Sequence, residues 1–297
     1  MNMAVWALTR EAAQRGLEVI GIKEGFIGLR SRDAVPLTTT ETLRWARYGG
    51  TFLGTSRLPN FPDYLSELHA ALQDLSTDQL VILGGNGSAL AAASLQEEQH
   101  INVVSIPATI DNDVDGSDES LGFDTALNTG LTLLDGMRDT AEAMPRFFAL
   151  ETLGGDTGFL AQALAEVGAA DVLLVPERPQ EEVEIVETLK EIMARQRYAL
   201  LVGSEGYPNL EEVVARLSQA LGTRSRFSRA GHAQRGGRPS ARDRFLAVRF
   251  AWAAVEALSR KQSGKVVMQK GNVRVLPFEN GLHSKSFSDL PHLMEVR

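Results

Sequence analysis

Three features of this 297-residue chain predict an α/β fold built on mostly parallel sheets. Short, fully apolar runs recur along it, and most lead into a stretch with helical periodicity. The runs do not alternate apolar with polar residues, so both faces of each strand are to be buried under helices. Glycine and serine gather where several runs end, and in such sheets ligands bind at the carboxyl ends of the strands.

The elements follow in order. LEVIGI (17–22) reads as a strand followed by a glycine-rich turn, and LVILGG (80–85) as a strand leading into the Ala-rich helix SALAAASLQEE. INVVSIP (101–107) is the next strand, and TALNTGLTLLDGMRDTAEAM (125–144) the next helix. Strands FFALETLGG (147–155), DVLLVPE (171–177) and YALLVGSEG (198–206) then alternate with helices GFLAQALAEVG, EEVEIVETLKEIMARQ and NLEEVVARLSQALG. PSARDRFLAVRFAWAAVEALSR (239–260) predicts a long late helix with Ser240 near its start. KVVMQKGNVRVLPFE (265–279) predicts a hairpin whose turn contains Gly271 and Asn272.

Composition narrows the function classes. Hydrophobic residues at 43% and charged residues at 23% are those of a globular protein with real cores. A formal charge of -8 offers no basic footprint for nucleic acid or for an anionic membrane. There are no cysteines, which removes disulfides, thiolate metal sites and a cysteine nucleophile. No apolar run has membrane-spanning length, and MNMAVWALTREAAQRG has no signal-type core, so a cytoplasmic location is expected.

Two loops carry candidate chemistry. In LVILGGNGSALAAASL a glycine loop joins a strand to a helix: Gly84, Gly85 and Gly87 let backbone approach a ligand, and Ser88 is placed to cap the helix. Both a phosphate loop and a plain tight turn fit that pattern. The next strand ends in PATIDNDVDGSDESLGFDTALNTG (107–130), where Asp111, Asp113, Asp115, Asp118, Glu119 and Asp124 crowd together. Consecutive parallel strands lie side by side, so the two loops open on the same side. Carboxylates beside a phosphate can hold Mg2+ or take a proton from an attacking hydroxyl. Asp115, Asp118 and Glu119 are expected to be the solvated remainder of the run.

Four spaced motifs, GGTFLGTSR (49–57), TIDND (109–113), LGFDTALNT (121–129) and GHAQRGG (231–237), resemble the bacterial ATP-dependent 6-phosphofructokinases, and the resemblance runs from Met1 nearly to the end. It implies two Rossmann-like three-layer domains, a nucleotide-binding one at 1–122 plus 235–284 and a fructose 6-phosphate-binding one at 123–234 plus 285–297. It implies transfer of the ATP γ-phosphoryl to the 1-hydroxyl of fructose 6-phosphate, a glycolytic step, with Mg2+. Asp111 then matches the general base, Thr109 and Ile110 substrate contacts, and Arg57 a cation at the transferring phosphate. Gly85, Asn86, Gly87, Ser88, Arg57 and Leu58 match the nucleotide side, with Asp113 and Asn86 facing the metal. Arg146, Arg226, His232, Ala233, Gln234 and Arg235 match the sugar-phosphate side, Glu205 a sugar-hydroxyl acceptor, and Leu153, Gly154 and Gly155 the turn beside it. Arginine suits this task because its planar fork grips phosphate bidentately. Arg146 and Arg226 are implied to serve a neighbouring subunit's site, hence a homo-oligomer, commonly a tetramer. Neither nucleic acid nor membrane is implied as a partner.

The chain departs from the family pattern on the nucleotide side. It opens at MNMAVWALTR, inside the family's first helix, so the preceding strand and GGD loop are not in this sequence. The family's GGDGS loop carries Asn86 in place of aspartate, and its MGR turn carries Gly155 in place of arginine. A catalytically impaired paralogue that binds fructose 6-phosphate, as a sensor or partner subunit, is therefore the alternative. Gly87 and Ala108 match ATP users rather than pyrophosphate users, and Phe26 matches an aromatic near the adenine. At the family's effector pocket Arg10, Arg138 and Asp171 are kept, whereas Trp6, Thr39, Ala194 and Gln196 replace basic residues, so allosteric control is not expected.

Overall fold

The computed structural model describes residues 1–77, 79–278, 285 and 287, which divide into two compact units. The first comprises Met1–Thr109, Val114–Gly122 and the stretch beginning at Arg238. The second comprises Ile110–Asp113 and Phe123–Gly237, with Phe287 in its core. Of the hairpin and tail expected at 265–297, residues 279–284, 286 and 288–297 lie outside the described residues.

The first unit opens with helix α1 (Asn2–Gln14), followed by strand β1 (Val19–Ile22), helix α2 (Gly25–Ser31) and strand β2 (Ala34–Leu37), which pairs antiparallel with β1. Helix α2 stands where the sequence predicts only a glycine-rich turn. Glu24 and Gly25, both at positive φ, make the turn, and Phe26 and Leu29 then face a core that also holds Leu68, Ile82 and Leu95. Helices α3 (Thr39–Trp45) and α4 (Leu65–Asp74) precede strand β3 (Gln79–Gly84), helix α5 (Asn86–Gln99) and strand β4 (Asn102–Pro107).

The second unit is a regular alternation. Helix α6 (Phe123–Ala143) leads to β5 (Phe147–Thr152), α7 (Phe159–Val167), β6 (Val172–Leu174), α8 (Glu182–Gln196), β7 (Ala199–Ser204), α9 (Leu210–Ala220) and β8 (Ser225–Arg229). Its sheet runs β6-β7-β5-β8, all parallel. Phe148, Leu150, Leu200 and Val202 enter one core, while Phe147, Ala149, Ala199 and Leu201 enter the other. That is why the strands read as unbroken apolar runs: alternate residues serve opposite helix layers. Each large aliphatic side chain so buried contributes about 1.5–3 kcal/mol.

The chain then returns to the first unit with α10 (Ala241–Ser259), β9 (Gly264–Gln269) and β10 (Asn272–Leu276). Ser240 caps α10, its hydroxyl accepting from the Asp243 amide at 3.1 Å. The sheet order is β10-β9-β4-β3, with β3, β4 and β9 parallel and β10 antiparallel. β4 again divides its residues: Val103 faces the core under α4 and α5, while Val104 and Ile106 face the core under α1 and α10. Asn272 pairs with Gln269, so the hairpin turn is Lys270–Gly271, both at positive φ, one residue earlier than the sequence predicts.

Candidate active site

In the first unit the glycine loop and Thr109 meet. β3 and β4 pair in register from Gln79 with Asn102 to Gly84 with Pro107, and Ala108 N–H donates to the Gly84 carbonyl at 2.9 Å. A Cβ on Gly85 would lie 3.5 Å from the Thr109 Cβ. Helix α5 begins at Asn86, two residues before the sequence suggests, so Ser88 sits in its first turn rather than capping it. The Ser88 side chain instead folds back over Gly84, where any Cβ would come within 2.2 Å of its hydroxyl. The first-turn amides of a 14-residue helix thus start at Asn86 and Gly87, a placement that favours an anion. Arg57 is exposed on the loop before α4, and Leu58 packs half-buried on the core beneath α4. Phe26 packs edge-on against Phe61, ring centroids 4.7 Å apart.

The acidic run divides into two parts. Asp111 and Asp113 are half-buried, with one carboxylate oxygen of each shielded from solvent, and Ile110, which precedes them in sequence, is half-buried too. The remainder stays in part solvated, with Asp118 exposed and Asp115 and Glu119 half-buried, and it is also bound to the hairpin and to α10. Lys265, 3% exposed on β9, donates to the Asp115 carbonyl at 3.0 Å and faces its carboxylate at 3.4 Å. Ser117 accepts from the Met268 amide, Asp118 donates its amide to the Met268 carbonyl, and its carboxylate accepts from the Lys270 amide. Glu119 pairs with Arg242, Ser120 donates to the Thr109 carbonyl, and buried Asp243 accepts from the Gly122 amide. A buried lysine needs an opposing charge, and Asp115 supplies it. Sequence reasoning missed Lys265; its signal is the lone cation opening KVVM.

In the second unit the turns that follow β5 and β7 interlock. Glu205 accepts from the amides of Gly154 at 3.0 Å and Gly155 at 2.8 Å through a single oxygen. Gly154 and Gly155 have φ of 155° and 60°, conformations that favour glycine. A Cβ on Gly155 would stand 3.5 Å from the Asp111 carboxylate. Leu153 N–H donates to buried Gln234, whose side-chain amide faces the Ala126 carbonyl at 3.4 Å. Gln234 thereby ties the 3-10 turn Gly231–Arg235, with exposed His232, Ala233 and Arg235, to the same end of the sheet. Nearby, burial pushes the Tyr207 phenol above its ordinary range, with Glu182 adding to the effect.

Arg146 and Arg226 lie at the other end of that sheet. Arg146 immediately precedes β5, and Arg226 on β8 pairs in register with Phe148. At about 3.3 Å per residue, the strand separates them from the Leu153–Gly155 turn by roughly 20 Å of backbone. The three residues matched to an effector pocket are engaged within their own units. Arg10 pairs with Glu11 and lies 4.7 Å over the Trp6 ring; Arg138 caps the end of α7 through the carbonyls of Gly168 and Ala169; Asp171 accepts from Gln196 and from the Leu200 amide.

No group of three or more His, Cys, Asp or Glu side chains among the described residues is placed to hold a metal ion. No helix among them is long and apolar enough to cross a membrane.

The phosphofructokinase family model matches residues 1–258. The chain is 38% identical to an ATP-dependent 6-phosphofructokinase of Thermus thermophilus over 291 residues, 96% of this chain and 90% of that protein. It is 39% identical to one from Wolinella succinogenes over 280 residues, 93% of this chain and 88% of that protein. Among solved structures it resembles Pichia pastoris phosphofructokinase in the T-state, with a TM-score of 0.86 and 26% identity over 93% of this chain, which spans 33% of the Pichia chain. A pyrophosphate-dependent phosphofructokinase from Marinobacter aquaeolei shares the fold, with a TM-score of 0.81 at 20% identity. Matched over most of its length by the family model and by these relatives, the chain belongs to the phosphofructokinase family.

Proposed function

We propose that this chain transfers the γ-phosphoryl of ATP to the 1-hydroxyl of fructose 6-phosphate, giving fructose 1,6-bisphosphate and ADP, in the cytoplasm. The observation that carries the reading is the grouping of Asp111, the Gly154–Gly155 turn and Glu205 in one unit, at the strand ends where such sheets hold ligands. The names of the relatives supply the donor and the acceptor, and disfavour a sugar-phosphate binder without catalysis.

In this reading Asp111 takes the proton of the 1-hydroxyl as its oxygen attacks the γ-phosphorus, and the bond to the ADP oxygen breaks. A carboxylate is ionised at neutral pH, so placement is what makes it an effective base. Glu205 accepts from a sugar hydroxyl; His232 and Arg235 meet the 6-phosphate, with Thr109, Ile110, Leu153, Gly154, Gly155, Ala233 and Gln234 lining the acceptor. Gly85, Asn86, Gly87, Ser88, Arg57 and Leu58 hold the nucleotide, Arg57 facing the phosphoryl in flight. Bound together with ATP, Mg2+ would supply positive charge against the nucleotide phosphates. Asp113 and Asn86 are the residues matched to the metal side, and Mg2+, which keeps several waters, would need only one or two protein oxygens besides phosphate.

The position of Arg146 and Arg226, at the far end of their sheet from Glu205, supports a homo-oligomer in which they complete the site of another copy. A tetramer is the assembly proposed. The reading is tested by incubating the purified chain with fructose 6-phosphate and Mg-ATP and following the product by phosphorus NMR. A new phosphate ester on C1, lost when divalent cation is chelated, is expected; ATP hydrolysis without an ester, or no reaction, would reject it.

A further inference from the structure

Glu205 does more at this site than face a ligand. Its carboxylate spends one oxygen on two successive amides, Gly154 at 3.0 Å and Gly155 at 2.8 Å. Consecutive N–H groups converging on one anion make a small backbone nest, and an ionised acceptor strengthens both bonds. The nest has φ of 155° and then 60°, conformations that glycine adopts readily and that other residues do not.

The rest of the turn is fitted closely around it. Thr157 returns to the Gly154 carbonyl through both its amide and its hydroxyl, and Ser204 donates to the Thr157 carbonyl at 2.6 Å while accepting from the Gly206 amide. A Cβ on Gly206 would come within 2.8 Å of the Gly155 carbonyl oxygen. Opposite this, the bare Cα of Gly155 faces the Asp111 carboxylate: a Cβ there would lie 3.5 Å from Oδ2 and 3.7 Å from Cγ. No side chain stands on Gly155 between the turn and the Asp111 carboxylate, so a shift of the Gly154–Gly155 turn changes the space beside that carboxylate.

We propose that Glu205 is a positioning residue for Asp111: by latching the Gly154–Gly155 turn it fixes the backbone that faces the Asp111 carboxylate. The inference rests on the reading of Asp111 as the base. It differs from a role in sugar recognition, which would act on substrate binding alone. Proton abstraction is sensitive to displacements well under an ångström, so losing the latch affects turnover.

Glutamine separates the two roles, because its carbonyl oxygen still accepts both amides although the charge is gone. Glu205→Gln and Glu205→Ala are compared in kcat, in KM for fructose 6-phosphate, and in hydrogen exchange of the 150–158 segment. The proposal expects KM to rise in both, kcat to fall about tenfold or more further in alanine than in glutamine, and exchange to quicken only in alanine. Equal kcat in the two variants, or exchange in alanine at the wild-type rate, would overturn it. A wild-type chain without kinase activity would reject the function itself, which is distinguishable from an active chain whose variants differ only in KM.

Discussion

Lys265 and Asp115 show what the acidic run is for once Asp111 and Asp113 are set aside. Removing one member of a buried ion pair leaves the other charge uncompensated, at a cost of about 3–5 kcal/mol, whereas removing both can be nearly neutral. Asp115→Leu, which strands the buried Lys265 charge, should therefore lower the urea midpoint strongly, and the double variant Lys265→Met with Asp115→Leu should recover much of the loss. A single and a double variant of equal stability would contradict the pairing. The pair was not legible in the sequence, because a lone lysine beside VVM reads equally well as a strand end. Nothing in the spacing of the acidic run said that Asp115 would meet the Lys265 side chain, Asp118 the Lys270 amide and Glu119 the Arg242 side chain.

Among the elements, the strands were the most legible, since fully apolar runs are what a sheet covered on both faces requires. The short helices α2 and α4 were not, because seven to ten residues give little periodicity to read. The α5 start was misjudged for a local reason: Ser88 has the chemistry of a cap, but Gly85 reaches the extended cap conformation first. Ser240 is the opposite case, a cap visible in sequence and present in structure. Ser240→Ala should cost about 1 kcal/mol in equilibrium unfolding, and no change would mean the hydroxyl is not a net contributor. Arg10 on α1, Arg138 on α6 and Asp171 just before β6 lead to a further expectation. With those side chains already bonded to Glu11, to the end of α7 and to Gln196, ADP or phosphoenolpyruvate should leave the fructose 6-phosphate saturation curve unchanged. A shift of the curve by either effector would show that these contacts are exchanged for ligand.

For the whole molecule, the two ends of the second unit's sheet make a claim that is independent of any single side chain. If Arg226 completes the site of another copy, chains carrying Arg226→Ala and chains carrying Asp111→Asn should each be inactive alone, and co-assembled oligomers should regain activity. Failure to complement would place Arg226 in its own chain's site. The overall class, α/β with mostly parallel sheets, followed from apolar patterning; the arrangement of Arg146 and Arg226 at the far sheet end followed only from strand register. The central claim, that Asp111 is the base, is tested most directly by measuring turnover and fructose 6-phosphate binding side by side in the wild type and Asp111→Asn. The account predicts binding within a few-fold and turnover reduced about 10²–10⁴-fold. Turnover retained in Asp111→Asn would contradict it.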